Sequence, residues 1–269
     1  MDYSITKDGI LVCQKDFDPE QTLDCGQAFR WSKNADGSFE GYFLNSYLKI
    51  SQTDKECFLF HDISENEFLD VWKDYFDFDT DYGELKRRFS EDSILSQACQ
   101  FASGIRLLRQ DAWECLCSFI ISQNNNIPRI KGIISRLCEK FGGFPDAAVL
   151  SKEDAESLAF LRAGFRAKYI EDAALRVSSG EINLSETAEM ELNEAEKELM
   201  KIKGVGPKVA ACVLLFGMHR MDAYPVDVWI KRVLETFYPE GMPECTKGFE
   251  GIAQQYLFHY VRCNPEKLK

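Results

Sequence analysis

The stretch Met200–Gly217, MKIKGVGPKVAACVLLFG, decides how the second half of this chain folds. Gly204, Gly206 and Pro207 all break helices, yet an apolar run typical of a buried helix follows them at once. Glycine tolerates positive φ and the close approach of another backbone, and proline has the φ of a first helical residue. The pattern predicts a tight hairpin that delivers a helix N-terminus.

The N-terminus of this predicted helix has the properties of an anion site. Its first N–H groups have no partner within the helix, and the helix dipole adds positive potential there. Lys208 falls in the first turn, where the dipole, neighbouring cations and any burial lower the pKa of an amine. An uncharged amine is a nucleophile, whereas a charged one anchors phosphate, and the residues alone leave both roles open.

Asp227 follows in the segment AYPVDVWIKRV, where Pro225 stops any helix before it. The simplest role for a carboxylate at the start of the next helix is a cap. In one cleft with Lys208, the same carboxylate could stabilise positive charge on a sugar ring and handle protons. The pair is therefore more informative than either residue.

Composition limits the function classes. The 269 residues carry a net charge of -12, which argues against nucleic acid as a partner, although residues 200–232 have more Lys and Arg than acidic residues and predict one basic face. No apolar run approaches the roughly 20 residues of a membrane helix. The His and Cys residues lack zinc-ligand spacing, and the ten cysteines, without a secretion signal, are expected to be reduced and mostly buried. We expect a soluble, cytoplasmic protein.

The chain predicts an α+β fold. Aromatic and β-branched segments around the turn residues Asp36 and Gly37 predict an antiparallel sheet domain with flanking helices over residues 1–95. Ser64 and Glu67 have capping-box spacing and begin a helical pattern. The run DFDTDYGELKRR does not fit a calcium loop and is interpreted as a solvated acidic surface. Residues 96–269 predict a larger, all-helical domain.

Seven segments, in order, resemble the 8-oxoguanine DNA glycosylases of the helix-hairpin-helix superfamily, in its eukaryotic-type branch. The resemblance covers almost the whole chain. The segments are CGQAFRW (25–31), IRLLRQD (105–111), QNNNIPRI (123–130), GFRAKY (164–169), GVGPKVA (204–210), PVDVWI (225–230) and AQQYLF (253–258).

The resemblance implies a lysine-based mechanism. Lys208 would attack the sugar C1′, displace the damaged base and leave a Schiff base, from which β-elimination cleaves the abasic strand. Asp227 would assist this chemistry, and Cys212, which is assigned to the base pocket, matches a cysteine beside the nucleophile. The enzyme would be a bifunctional glycosylase and lyase of base excision repair.

A base pocket is implied as well. Guanine N7 is an acceptor, whereas the oxidised base carries a hydrogen there, so a single fixed carbonyl can distinguish them. The resemblance assigns that carbonyl to Gly26. Gln254 and Phe258 lie four residues apart on one helix face, where an amide reads the Watson-Crick edge and a ring stacks on the extruded base.

The remaining carried-over residues contact DNA. Asn124 would fill the gap left by the flipped base, while Arg129 and Arg166 would bind the orphaned cytosine, and Phe165 would act as a wedge. Phe165 stands where relatives often have Tyr, and Trp229 replaces a typical histidine, which puts those contacts in question. The phosphate-binding hairpin is assigned to Gly204, Val205, Gly206 and Trp229.

The expected partner is double-stranded DNA that contains 8-oxoguanine opposite cytosine. The protein is expected to act as a monomer and not to bind a membrane. Neither a cofactor nor a catalytic metal is expected, although backbone carbonyls near Lys203 and Val205 could hold a structural cation. Two alternatives stay open: a glycosylase for another damaged base, and a non-catalytic helix-hairpin-helix protein in which Lys208 only anchors phosphate.

Overall fold

The computed structural model describes residues 1–268 and contains a six-stranded antiparallel sheet. The strand order is β1-β2-β6-β5-β4-β3. The strands are β1 (Asp2–Thr6), β2 (Gly9–Cys13), β3 (Trp31–Lys33), β4 (Phe39–Phe43), β5 (Ser46–Asp54) and β6 (Cys57–His61). This sheet and the helices that follow it confirm the predicted α+β class.

Most of the chain after the sheet is helical. Short 3₁₀ turns lie at Ser157–Leu161, Gly164–Arg166, Glu244–Thr246 and Pro265–Leu268, and a π-helical segment at Phe68–Trp72 joins α2 to α3. The α-helices are α1 (Pro19–Leu23), α2 (Glu65–Glu67), α3 (Lys73–Tyr75), α4 (Tyr82–Phe89), α5 (Ser93–Phe101), α6 (Ala112–Ser122), α7 (Ile127–Phe141), α8 (Ala147–Leu150), α9 (Ala167–Ser178), α10 (Leu184–Glu189), α11 (Leu192–Leu199), α12 (Pro207–Gly217), α13 (Val228–Phe237) and α14 (Glu250–Cys263).

The chain divides into two compact units. The first combines Met1–Arg109 with the segment that begins at Val226, and the second is Gln110–Pro225. The first unit therefore contains the sheet together with α13 and α14. The domain division between residues 95 and 96 stays a prediction. Along residues 1–268, none of the helices has both the length and the hydropathy to cross a bilayer.

The hairpin predicted at Asp36 and Gly37 joins β3 to β4. Gly37 has φ +85°, and the Asp36 carboxylate accepts a hydrogen bond from Ser38 N at 2.9 Å. Hydrogen bonds from the Ser38 hydroxyl, which is the largest cause, and from Ser38 N lower the pKa of Asp36 to about 2. The Ser64 side chain accepts from Glu67 N at 3.1 Å, which confirms the predicted helix start.

One face of the sheet packs against the aromatic helical segment that follows β6. Trp31 lies against Trp72 with ring centroids 6.0 Å apart, and its indole N–H donates to the Tyr75 hydroxyl at 2.7 Å. Phe60 meets the ring of Phe76 edge to face at 5.6 Å. Burial of these large apolar surfaces stabilises this layer, since each fully buried aromatic contributes about 1.5–3 kcal/mol.

The interpretation of residues 77–88 as a solvated acidic surface is wrong at Asp77. This carboxylate is only 2% exposed and accepts hydrogen bonds from the Tyr82 hydroxyl at 3.0 Å and from Arg109 Nε at 3.0 Å. A buried charge requires such partners. Asp81 caps α4 through Glu84 N. The run is thus a loop and the start of a helix, arranged around an ion pair whose carboxylate is buried and whose guanidinium is partly exposed.

The expectation that all cysteines are reduced is wrong for two of them. Cys13 and Cys57 are directly opposite on β2 and β6, and they form a disulfide with a Cα to Cα distance of 4.1 Å. The remaining eight are free thiols, and six of these are buried, as expected. The pairing follows from the register of β2 against β6. The positions of the two cysteines in the sequence do not show this register.

Thiol labelling of the native protein is expected to modify Cys263 first. Cys263 is exposed, whereas burial raises the pKa values of the Cys115 and Cys117 thiols well above their usual range and keeps them in the unreactive form. Peptide mapping after brief maleimide treatment measures this order, and Cys263→Ser should remove the fast phase. Labelling of Cys117 at the rate of Cys263 would contradict the described packing.

In the second unit, the apolar α12 packs against α6. All residues from Val209 to Phe216 are buried, and the ring of Phe216 stacks on that of Phe119 at 5.3 Å. The α6 helix approaches Gly217 so closely that a Cβ there would lie 2.8 Å from Cys115 Cβ. This packing makes α12 a rigid support for its own N-terminus, where Lys208 lies.

Candidate functional site

The hairpin before α12 is tightly anchored within the second unit. Gly204 has φ +80°, and a Cβ at this position would lie 2.3 Å from the ring of Tyr169, so only glycine fits. The backbone N–H of Lys203 donates to Asp172 Oδ2 at 2.8 Å. The close approach predicted for the glycines is therefore made at Gly204, by an aromatic ring rather than by another backbone.

Gly206 has a different purpose. Its φ of -105° is open to any residue, and nothing lies within 4 Å of the position that a Cβ would take. Gly206 is the N-cap of α12, and no side chain among residues 1–268 caps that helix end. Within the described chain, the first turn of α12 thus has no capping side chain, and the space beside Gly206 is open, which suits a phosphate oxygen.

Lys208 lies in the first turn of α12, as predicted, and its side chain is exposed. The amine is therefore open to a ligand at the positive end of the α12 dipole. Cys212 is buried one turn further along the same helix. The role of Lys208 as a nucleophile stays a prediction.

Asp227 is the N-cap of α13 in the first unit. Its Oδ1 accepts hydrogen bonds from Trp229 N at 2.9 Å and from Ile230 N at 2.8 Å. The capping role considered for Asp227 is confirmed, and it fixes the direction of the carboxylate. A cap that uses one oxygen is compatible with a second role of the other oxygen in catalysis, which stays a prediction along with its pairing with Lys208.

Trp229, assigned to phosphate, is half-buried beside this cap. The guanidinium of Arg232 lies 5.9 Å from its ring centroid, which places a cation against the indole. Arg232, which lies within the predicted basic segment, therefore brings positive charge to a position where the resemblance expects histidine.

Three of the four predicted base-pocket residues belong to two segments of the first unit, the loop after α1 and the helix α14, whereas Cys212 lies on α12 in the second unit. Gly26 adopts φ +89°, which favours glycine. Gln254 is 5% exposed, and its Oε1 is buried without a hydrogen-bond partner among residues 1–268. Phe258 is half-buried, with the Arg262 guanidinium 5.5 Å from its ring centroid.

Arg166 holds the loop that contains Asn124. Its guanidinium is buried and donates to the backbone carbonyls of Gln123 at 2.8 Å, Asn124 at 3.0 Å and Ala163 at 3.0 Å. Burial and, secondarily, the charge of Arg129 lower the pKa of Arg166. In this structure Arg166 fixes the positive φ of Asn124, +47°, and its contact with cytosine stays a prediction.

Phe165, the predicted wedge, and Arg129, the other predicted contact with cytosine, are both exposed. Phe165 is 49% exposed, with its ring 5.6 Å from that of Tyr169 and 4.4 Å from the Arg166 guanidinium carbon. Arg129 is exposed, and its Nη2 donates to Arg162 O at 3.4 Å. An exposed aromatic ring among arginines is a surface suited to nucleic acid.

Sequence reasoning did not single out Tyr169, although it lies in the quoted segment GFRAKY and contacts both Gly204 and Phe165. It also missed Gln255, which follows Gln254 and donates to Cys25 O at 3.3 Å. Both residues lie in segments that resemble the family, GFRAKY and AQQYLF, and their position there was the only indication of a role.

Family models match nearly the whole length of the chain. The model of the 8-oxoguanine DNA glycosylase N-terminal domain matches residues 10–116, and the HhH-GPD superfamily base excision DNA repair protein model matches residues 117–244. The N-glycosylase/DNA lyase of Saccharomyces cerevisiae is 32% identical over 80% of this chain and 67% of the relative. The N-glycosylase/DNA lyase OGG1 of Arabidopsis thaliana is 30% identical over 80% of this chain, which spans 65% of that protein.

Solved structures match more completely. MBOgg1 in complex with a low-affinity DNA ligand is 40% identical, with a TM-score of 0.90 over 98% of this chain and 100% of that chain. The 8-oxoguanine glycosylase/lyase of Clostridium acetobutylicum, in complex with double-stranded DNA containing cytosine opposite 8-oxoguanine, is 37% identical, with a TM-score of 0.91 over 98% of this chain and 99% of that chain.

Proposed function

The chain belongs to the 8-oxoguanine DNA glycosylase family within the HhH-GPD superfamily of base excision DNA repair proteins, and we propose that it excises 8-oxoguanine from duplex DNA and cleaves the abasic strand. It is a bifunctional glycosylase and lyase, and its partner is double-stranded DNA. Cytosine opposite the lesion is consistent with the solved relative from Clostridium acetobutylicum.

One observation carries the assignment of the base pocket. The Gln254 Oε1 atom is buried and receives no hydrogen bond from residues 1–268, a state that costs about 1–3 kcal/mol unless a ligand supplies the donor. The Watson-Crick edge of an extruded guanine-type base presents such N–H donors. Phe258, one helical turn away, offers a ring for stacking on the same base.

The proposed chemistry begins with Lys208 as the nucleophile. Attack of its nitrogen on C1′ forms the C1′–N bond, while the bond from C1′ to the base breaks and the departing base takes up a proton. The nitrogen then loses one proton, and the C1′–O4′ bond breaks as O4′ takes up a proton, which leaves the protonated Schiff base. Removal of a C2′ proton then expels the 3′ phosphate and cleaves the strand. Asp227 stabilises the positive charge that develops on the sugar.

A panel of duplexes tests this function. Single-turnover cleavage is measured on oligonucleotides that carry 8-oxoguanine, an alkylated purine or an oxidised pyrimidine at one position, each opposite cytosine. We expect strand cleavage of the 8-oxoguanine duplex and much slower cleavage of the others. A preference for an alkylated purine would show that the pocket serves another damaged base, and binding without any excision would identify a non-catalytic protein.

Arg129 is expected to set the preference for the base opposite the lesion. Replacing it by alanine should reduce the ratio of excision rates opposite cytosine and opposite adenine about tenfold, within the ~1–3 kcal/mol of one bidentate base contact. Lys140→Ala, which removes an exposed cation from the other end of α7, controls for the general loss of charge. Equal ratios in both variants would exclude this role of Arg129.

A further inference from the structure

The loop that presents Gly26 is attached to the helix that carries the other pocket residues. Gln255 on α14 donates from Nε2 to Cys25 O at 3.3 Å, and Arg262 donates from Nη2 to Asp24 O at 3.1 Å. Both bonds lie within the first unit. Two successive carbonyls just before Gly26 are thus held by side chains of one helix.

The other side of the loop is held by a buried glutamine. Gln27 is 0% exposed, and its Nε2 donates to Thr22 O at 2.9 Å and to Arg106 O at 2.8 Å. Its Oε1 accepts from Leu108 N at 3.0 Å. The residues on both sides of Gly26 therefore have fixed positions, and the intervening peptide has little freedom to move.

We propose that Gln255 and Arg262 are positioning residues for lesion selection, which fix the Gly26 carbonyl relative to the Gln254 amide and the Phe258 ring. This inference rests on the proposed function. Gln255 follows Gln254 directly, and Arg262 lies one turn beyond Phe258 on the same helix. The two selecting side chains and the two tethers thus belong to one rigid element.

Selection by one carbonyl depends on its position. Near N7, the carbonyl oxygen receives a hydrogen bond from the lesion but meets a lone pair on guanine. Both effects weaken steeply once distance and angle depart from hydrogen-bond geometry. If the loop can move the Gly26 carbonyl away from N7, the pocket repels guanine less and binds the lesion less tightly. A tether therefore changes the ratio of the two affinities more than it changes DNA binding in general.

Burial makes the Gln255 tether sensitive to substitution. Gln255 is 3% exposed and Cys25 is 0% exposed, so removal of the amide takes a donor from a carbonyl that water does not reach in the folded loop. Arg262 is only half-buried and has a second contact with the Phe258 ring at 5.5 Å. Its replacement can therefore loosen the loop without disturbing the core.

The test compares Gln255→Leu and Arg262→Met with the matched control Gln14→Leu. Gln14 is also a buried glutamine that donates to a backbone carbonyl, that of Lys15, at the end of β2. Two ratios are measured. The first is the dissociation constant for a guanine duplex divided by that for an 8-oxoguanine duplex, in a Lys208→Gln background. The second is the rate of 8-oxoguanine excision divided by the rate of cleavage of a preformed abasic site.

We expect both ratios to fall about tenfold in Gln255→Leu, as for the loss of one hydrogen bond of ~1.4 kcal/mol, and to stay at the wild-type values in Gln14→Leu. Unchanged ratios in Gln255→Leu would overturn the inference. If Gln255→Leu does not fold, Arg262→Met decides in the same way. A wild-type protein that cleaves abasic sites but leaves 8-oxoguanine in place would overturn the proposed function itself.

Discussion

Replacement of Lys208 by glutamine is expected to lower the single-turnover rate of 8-oxoguanine excision by at least about 10³-fold, which corresponds to about 4 kcal/mol of activation free energy. Glutamine has no basic nitrogen and cannot form a Schiff base. Because the Lys208 side chain is exposed and the rest of α12 is anchored by its buried face, the fold should persist. The rate is measured by gel analysis of an 8-oxoguanine duplex.

Lys203→Gln is the matched control for this loss. Lys203 is an exposed lysine of the same hairpin, and its contact with Asp172 is made by the backbone, which the substitution leaves in place. The expected effect is less than about threefold at moderate salt, since one exposed charge contributes little. If Lys208→Gln lost no more activity than Lys203→Gln, Lys208 would be only an anchor for phosphate.

Asp227→Asn is expected to have the second largest effect, a loss of about 10²-fold in excision rate with a small change in stability. Asparagine caps a helix about as well as aspartate, so its side-chain oxygen can accept the N–H groups of Trp229 and Ile230. The substitution removes the charge that stabilises the sugar cation. The free energy of unfolding should change by less than about 1 kcal/mol.

The same aspartate-to-asparagine change at another N-cap distinguishes a catalytic effect of the Asp227 charge from an effect on helix capping. Asp81→Asn alters the carboxylate that accepts from Glu84 N at the start of α4, and it should leave the excision rate within about twofold of wild type. Chemical denaturation and single-turnover kinetics are measured for both variants. An Asp227→Asn enzyme as active as Asp81→Asn would mean that Asp227 serves only as a cap.

Features set by neighbouring residues could be predicted from the sequence. The order Gly204, Gly206, Pro207 determined the hairpin and the start of α12, and Asp227, as the N-cap, marks the start of α13. The Asp36–Gly37 turn and the Ser64 cap are equally local. Each depends on the φ preference or hydrogen-bonding group of one residue, which the sequence shows directly.

Features set by distant residues could not be predicted. The disulfide depends on the register of β2 and β6, and the burial of Asp77 depends on Arg109 and Tyr82. The strands β1 and β2 were not predicted, and β1 lacks a buried face that would give an alternating pattern. The tether of Gln255 to Cys25 joins residues that are 230 positions apart in the sequence.

Borohydride reduction traps a lysine that is bonded covalently to deoxyribose, and it therefore tests the role of Lys208 as the nucleophile. The protein is incubated with a labelled duplex that carries 8-oxoguanine opposite cytosine, reduced with borohydride and separated under denaturing conditions. We expect a covalent protein–DNA adduct for the wild type and for Lys203→Gln, and none for Lys208→Gln. An adduct of equal yield in Lys208→Gln, or excision of the base by the wild type without any adduct, would contradict this role of Lys208.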